Sequence, residues 1–233
     1  MGTAHQEPSE TVYVPSKLPD FFDSGSQTNY QYSEGVDIRL PLSARLRVTG
    51  FYSRLVVSDV EDIGWLTGTG ESGGVEVFLH RDFTERLGGW ISYTLSRTVE
   101  TFPFPNGVAR RVSSDHTHLL SVVAGYDLGK GWRVGGRLFF ESGRPMRTVS
   151  VPTTQDTVPF TPPGNLPDFW RLDARLEKKW TLSNHRWITA SIECFNLFDR
   201  AEPTGDYYVP GQGIVTYYES AIILPTIGVE AGF

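Results

Sequence analysis

Two histidines, His116 and His118, stand two residues apart in "DHTHLL", directly after Ser113, Ser114 and Asp115. On a β-strand that spacing turns both rings to the same face. A metal centre would need further ligands at tetrahedral reach, and the surrounding sequence offers none. A hydrolytic site would need a base within hydrogen-bond reach of a nucleophile and a third group to orient the base. Adjacency along the chain supplies neither, so structural use of the pair outweighs both chemistries. The stretch "SDVEDIGWLTGTGESGG" clusters Asp59, Glu61, Asp62 and Glu71, residue types that suit a hard cation, but without the spacing of an EF-hand loop. Its "GTGESGG" tail lacks the strand before and helix after that a phosphate loop requires. No catalytic, metal or cofactor site is expected, and the chain is not expected to be an enzyme.

What is left is recognition. Arg110 and Arg111 lie in one long interstrand segment, Arg144 and Arg147 in another, and Trp65 at the centre of a third. Four guanidinium groups at one mouth would attract anionic ligands. The alternative is pairing with acids of neighbouring loops or of lipopolysaccharide. These five residues are the candidate ligand-facing positions.

The elements that must carry them show in the alternation of the sequence. In "DFWRLDARLEKKW" (168–180), Trp170, Leu172, Ala174, Leu176, Lys178 and Trp180 alternate with Arg171, Asp173, Arg175, Glu177 and Lys179. A period of two is a β-strand, and this one separates an apolar face bracketed by two tryptophans from a heavily charged one. The same pattern recurs in "YQYSEGVDIRL", "ARLRVTGFYSR", "GVEVFLHRDF", "WISYTLS", "HLLSVVAGYDL", "GWRVGGRLFFE", "WITASIECF" and "ILPTIGVEAGF", giving about nine strands. Glu34 breaks the apolar set of the first. Connections alternate short ("PLSA", "TERLG", "GKG", "TLSNH") and long (about 56–72, 98–115, 142–168, 199–221). A soluble sandwich has no reason to keep its short turns at one end, whereas an outer-membrane barrel does. Counting back from Phe233, with that terminus in the periplasm, puts every short turn on the periplasmic side. "GIVTYYES" within the last long segment has the composition of a small hairpin above the membrane. Phe83, Trp132 and Trp180 fall at the short-turn ends of their strands, and Phe140, Trp170 and Phe198 at the other ends, where amphipathic rings suit membrane interfaces. The apolar faces therefore belong to lipid and the charged faces to a wet lumen.

Composition is compatible. A formal net charge of −6 disfavours nucleic acid as the main partner, and the lone Cys194 cannot form an intramolecular disulfide. No apolar window is long enough for a transmembrane helix. The N-terminal "MGTAHQEPSE" has neither the basic nor the apolar region of a signal peptide, and lacks the Ser or Thr of a myristoylation signal. Mean hydropathy is −0.24, as a barrel that shows lipid only alternate residues allows. Residues 1–28 are read as a loop or poorly ordered lead-in, and 29–233 as part of an outer-membrane β-barrel.

From about residue 28 onward the chain resembles the C-terminal part of TonB-dependent receptors of the Gram-negative outer membrane. The phrases that carry the likeness are "YSEGVDIRL", "TGFYSRL", "SGGVEVFLHRDF", "GGWISYTLSR", "DHTHLLSVVAGYDLGKGWRVGGRLFFESGRP", "LPDFWRLDARLEKKW", "CFNLFDRAEP" and "LPTIGVEAGF". Their order and spacing matter more than any one of them. Phe233, with apolar residues at alternate positions before it, resembles the terminal signal read by the barrel assembly machinery. The resemblance implies a twenty-two-stranded barrel with an N-terminal plug and a TonB box, working in the cell outer membrane. It implies lipid, lipopolysaccharide and the assembly machinery as partners, with TonB reached only through the plug. About nine strands and no plug make this chain, in that light, a fragment inactive alone. Two alternatives stand beside it: a passive pore or structural barrel formed with another chain, and a soluble β-sandwich binding module.

Overall fold

The structure is a computed structural model that describes residues 2–6, 27–57, 68–83, 86–101, 109–112, 114–146, 149–152, 157–160, 164–182, 186–209 and 212–232. Among them there is no helix. The strands are β1 (Gly2–Gln6), β2 (Gln27–Leu40), β3 (Ala44–Val57), β4 (Gly68–Arg81), β5 (Leu87–Thr101), β6 (Ala109–Arg111), β7 (His118–Gly129), β8 (Trp132–Glu141), β9 (Val149–Pro152), β10 (Thr157–Phe160), β11 (Phe169–Thr181), β12 (Trp187–Phe195), β13 (Pro203–Val209), β14 (Gly213–Tyr218) and β15 (Leu224–Gly232). Nine long strands, β2, β3, β4, β5, β7, β8, β11, β12 and β15, form an up-and-down antiparallel meander. The short β1 falls in the stretch read from sequence as a loop. It pairs with Gln27–Gln31 at one end of β2. β15 pairs only with β12, so the sheet is open rather than closed on itself.

Short and long connections alternate along the meander. The turn at Pro41–Ala44 has Leu42 and Ser43 at φ 62° and 56°, with the Ala44 N–H donating to the Pro41 carbonyl at 3.3 Å. This is a type I′ turn, whose twist matches that of the strands it joins. At the β7–β8 turn, Gly129, Lys130 and Gly131 all adopt positive φ. The long connections carry the extra strands. β6 pairs antiparallel with the far end of β5, β9 and β10 form one hairpin, and β13 and β14 form another, so "GIVTYY" is one arm of a hairpin whose other arm is "PTGDYYV". The two hairpins approach each other through β9 and β13.

One transverse row crosses all nine long strands: Leu40, Ala44, Arg81, Gly89, Ala124, Gly136, Ala174, Cys194, Pro225. The first short turn closes on this row. The last closes at the pair Thr181–Trp187, seven residues beyond Ala174. Gly129 and Trp132 at the intervening β7–β8 turn lie five and four residues beyond it. The short turns therefore descend steadily across six strand steps. With a rise of about 3.3 Å per residue and a strand spacing of about 4.8 Å, strands tilt about 40° from the normal to the line of short turns.

Burial of large apolar side chains is confined to one corner among the described residues. Leu166 and Phe169 are the buried hydrophobic residues among those described. Large apolar residues elsewhere stay open, up to 81% for Ile227 and 72% for Val229. Among the described residues no second sheet covers them.

Candidate functional site

The two faces of the meander differ in chemistry as alternation requires. On one, Val36, Val48, Val77, Tyr93, Leu120, Phe140 and Trp170 form a continuous row over seven strands. A second row joins Leu87, Tyr126, Val134, Leu176, Ile192 and Ile227. Trp132 and Trp180 flank this face at the short-turn end, with the Lys178 ammonium 5.1 Å from one ring centroid and 5.8 Å from the other. Lys178 also donates to the Lys130 carbonyl, drawing its charge toward the turn. At the opposite end Trp170 packs against Phe198 with ring centroids 5.7 Å apart, and the Arg200 guanidinium lies 5.0 Å over Trp170. Trp170 and Trp180 are ten residues apart on β11. That is about 33 Å along the strand and about 25 Å along the normal at the tilt found above. Glu34 lies on this apolar face, opposite Gly50.

The other face is charged and concave. A cavity of about 670 Å³ is lined by Phe83, Arg133, Arg137, Arg175, Glu177, Glu193 and Phe195, among others. Arg175 bridges two carboxylates, donating to Glu177 at 2.8 Å and to Glu193. Arg171 donates to Asp173 at 3.1 Å and lies 3.8 Å over the Phe195 ring. Arg137 has no hydrogen-bond or ion-pair partner among the described residues, although it stands in register with Asp173. The result is a wall of mixed charge with one uncommitted guanidinium in its hollow.

Phe83 differs from expectation. Sequence alternation puts it on the apolar face with Val77 and Leu79, as an interface aromatic. In the structure β4 ends at Arg81, and the Phe83 ring covers Gly88 and Gly125, with Arg133 5.4 Å from its centroid. It therefore lies on the charged face. The physical reason is the end of the strand, which frees the chain from strict alternation, next to two positions without side chains. Phe51 over Gly74 and Trp187 over Gly232 repeat the device on the same face, an aromatic filling the gap that a neighbouring strand's glycine leaves. Trp132, Phe140, Trp170 and Trp180 share the apolar face.

The candidate ligand-facing residues are distributed as follows. Arg111 is engaged: it donates to Asp115 at 2.7 Å, to Thr117 at 2.7 Å and to Asn165 at 3.4 Å. Asp115 is itself buried and accepts the Thr98 N–H at 2.9 Å. Arg144 donates to the Thr204 carbonyl, tying the β8–β11 connection to β13. Both guanidinium groups hold loops together. Arg110 lies on β6, paired with Glu100 through the backbone. Trp65, Arg147 and Phe233 lie outside the described residues, as do Asp59, Glu61, Asp62 and Ser113. His116 pairs with the Ser142 carbonyl at 2.8 Å and His118 with the Tyr93 hydroxyl at 2.8 Å, so each ring has a structural partner. Among the described residues no three of His, Cys, Asp and Glu gather as metal ligands.

A second feature missed from sequence is the turn after β12. Asn196 is buried with φ 53°, accepts the Arg200 N–H at 2.9 Å and donates to the Arg200 carbonyl at 3.0 Å. Its own N–H donates to Asp173 at 2.9 Å. Asparagine tolerates the left-handed region and its amide supplies both bonds. Asn196→Ala is expected to cost about 2 kcal/mol, and Asn196→Gly less, because glycine keeps the backbone geometry. Urea midpoints of the refolded variants, followed by tryptophan fluorescence, check the order.

Compared with known proteins, no family model matches the chain and no curated protein does either.

Proposed function

We propose that this chain forms barrel wall and external loops of a TonB-dependent outer-membrane receptor that takes up siderophore-like or other nutrient ligands. In this reading it is part of a larger, twenty-two-stranded barrel. The observation that carries the membrane part is the descending line of short turns beneath an uncovered apolar face. A tilt of about 40° and an apolar band of about 25 Å are the values that spanning strands need. Charged groups on the outer face favour the ends of the strands: Arg54 is ten residues above Ala44, Glu71 ten above Arg81, and Arg97 ten above Leu87. Glu34, six residues from Leu40, is the exception. The receptor part rests on the resemblance quoted above. Ligand would be captured by the long connections, and a plug driven from the inner membrane would release it inward past the charged face. The open edges favour one neighbouring reading, a passive pore or structural barrel completed by another chain, because strand edges left in lipid cost several kcal/mol for each unpaired group.

Refolding from urea tests the membrane part. The chain is expected to fold only with detergent or lipid present. Brominated acyl chains should then quench its fluorescence, and substituting Trp132, Trp170 and Trp180 by Phe should remove most of that quenching. A monodisperse, folded β-protein in plain buffer would overturn the reading. A plug-encoding frame upstream of Met1 separates the receptor from the passive barrel.

A further inference from the structure

We infer that the hollow of the charged face is a binding site for a small aromatic monocarboxylate. The site depends on that face alone, whatever solvent touches the other. Gly88, Gly125, Gly135, Arg175 and Glu193 form one transverse row across it. The Phe83 ring covers the first two glycines, where an added Cβ would come within 2.8 Å of it. Gly135 is left bare: a Cβ there would meet only the Ala124 carbonyl, at 3.5 Å. Arg133 and Arg137 lie two residues before and after Gly135 on the same strand face, with their Cα atoms about 13 Å apart. Arg175 is the register neighbour of Gly135 on one side, and Phe83 closes the other. Phe83, Arg133, Gly135, Arg137 and Arg175 all line the cavity of about 670 Å³, a size that suits a small organic ligand.

The charges on the wall set the ligand's charge. Each lining carboxylate is held by a cation other than Arg137. Asp173 accepts from Arg171 at 3.1 Å and from the Asn196 N–H at 2.9 Å. Glu177 and Glu193 both accept from Arg175, and Arg133 stands 4.0 Å from Glu177. Arg137 is exposed and is the lining guanidinium left without a carboxylate among the described residues. One negative charge completes the wall. A carboxylate matches the planar fork of Arg137 in a paired hydrogen bond. A second charge on the same ligand would face Glu177 and Glu193 and be repelled. The body of the ligand is set by the floor. A strand glycine with nothing above it lets a flat group lie directly on the backbone. A ring placed there meets the Phe83 ring at its side, an arrangement aromatic pairs favour. Phe83 and Phe195 are 53% and 42% exposed, so both retain apolar surface for a ligand to cover.

The test titrates 2-naphthoate into the full chain folded in dodecylmaltoside micelles, followed by calorimetry against empty micelles. Arg137→Gln should weaken binding by at least about tenfold, and Arg137→Lys by less, because lysine keeps the charge without the fork. Gly135→Ala, which the sheet can accommodate, should also weaken binding by raising the floor. Arg45→Gln, on the same face four strands away, should leave it unchanged. Neutral 2-naphthamide and the puckered cyclohexanecarboxylate should each bind more weakly than 2-naphthoate, and the dianion 2,6-naphthalenedicarboxylate no more tightly. No binding by the native chain, unchanged affinity in Arg137→Gln, or equal loss in Arg45→Gln would each overturn the site. Naphthamide binding as tightly as naphthoate would remove the carboxylate, cyclohexanecarboxylate doing so would remove the flat ring, and a tighter dianion would refute the single charge. The outcome is separable from the membrane reading: brominated-lipid quenching without naphthoate binding sinks this site alone, and naphthoate binding without quenching sinks the membrane reading alone.

Discussion

Replacing Leu176 by arginine is expected, on the proposed membrane reading, to destabilise the folded chain in vesicles by about 2–4 kcal/mol, the cost of a lipid-facing cation near the midplane. Leu176 is five residues above Thr181, midway along the band that Trp170 and Trp180 bracket. Its register partners are Val134 and Ile192, and it is 42% exposed. In water, an arginine at such an open site would change stability by no more than about 0.5 kcal/mol, so the size of the effect reports which solvent touches the face. The adjacent Arg175→Leu is the internal control. It removes one cation from Glu177 and Glu193 on the charged side, but Arg133 remains 4.0 Å from Glu177. Partly exposed pairs of this kind contribute about 0–1 kcal/mol. Urea midpoints of both variants refolded into the same vesicles give the comparison. Equal costs would mean that the faces are wrongly assigned, and a larger cost for Arg175→Leu would reverse them.

That comparison turns on a feature legible from alternation alone. A strand has a strict period of two, so Trp170, Leu172 and Leu176 could be assigned to one face, and Arg171, Asp173 and Arg175 to the other, with no knowledge of their neighbours. The nine long strands and their alternating connections came through for the same reason. Information was lost where local sequence stops determining direction. Beyond Arg81 the chain leaves the ladder, and Phe83 takes the side where Gly88 and Gly125 leave room, a choice made by residues on two other strands. Phe51, Phe78, Trp90, Phe139 and Phe195 sit among the polar positions of their strands. The charged face is thus partly aromatic, with Phe78 6.1 Å from Trp90 and Phe139 6.4 Å from Phe169. The loop arginines show the same limit. Arg111 and Arg144 have the residue type of an anion-binding mouth, yet their partners, Asp115 nearby and Asn165 and Thr204 far along the chain, turn them into braces. A glycine facing an aromatic across two strands, or an acid four residues from an arginine, carries that information only once register is known.

The brace at Arg111 predicts the second large effect. Asp115→Ala should cost about 3–5 kcal/mol locally, because removing one member of a buried pair leaves the other charge uncompensated. The Asp115 side chain is 1% exposed and that of Arg111 22%. One carboxylate oxygen takes the Arg111 Nε–H and the other the Thr98 N–H, so alanine strands a cation and a backbone donor together. Arg111 also reaches Thr117 and Asn165, and Asn165 bridges to Pro145. Loosening this corner should therefore propagate from the β5–β7 connection to the β8–β11 connection, while the lower strands keep their ladders. Asp115→Asn retains an acceptor for Thr98 and should lose less. Arg111→Lys keeps the charge but gives up the planar fork that serves Asp115 and Thr117 at once, and should fall between them. Amide hydrogen exchange at Thr98, Asp115 and Leu166, read against Val134 and Ile192 as internal standards, resolves a local loss from a global one. Protection at Thr98 and Leu166 unchanged in Asp115→Ala would show that the corner is held by Leu166, Phe169 and the backbone bridge, with the ion pair contributing nothing.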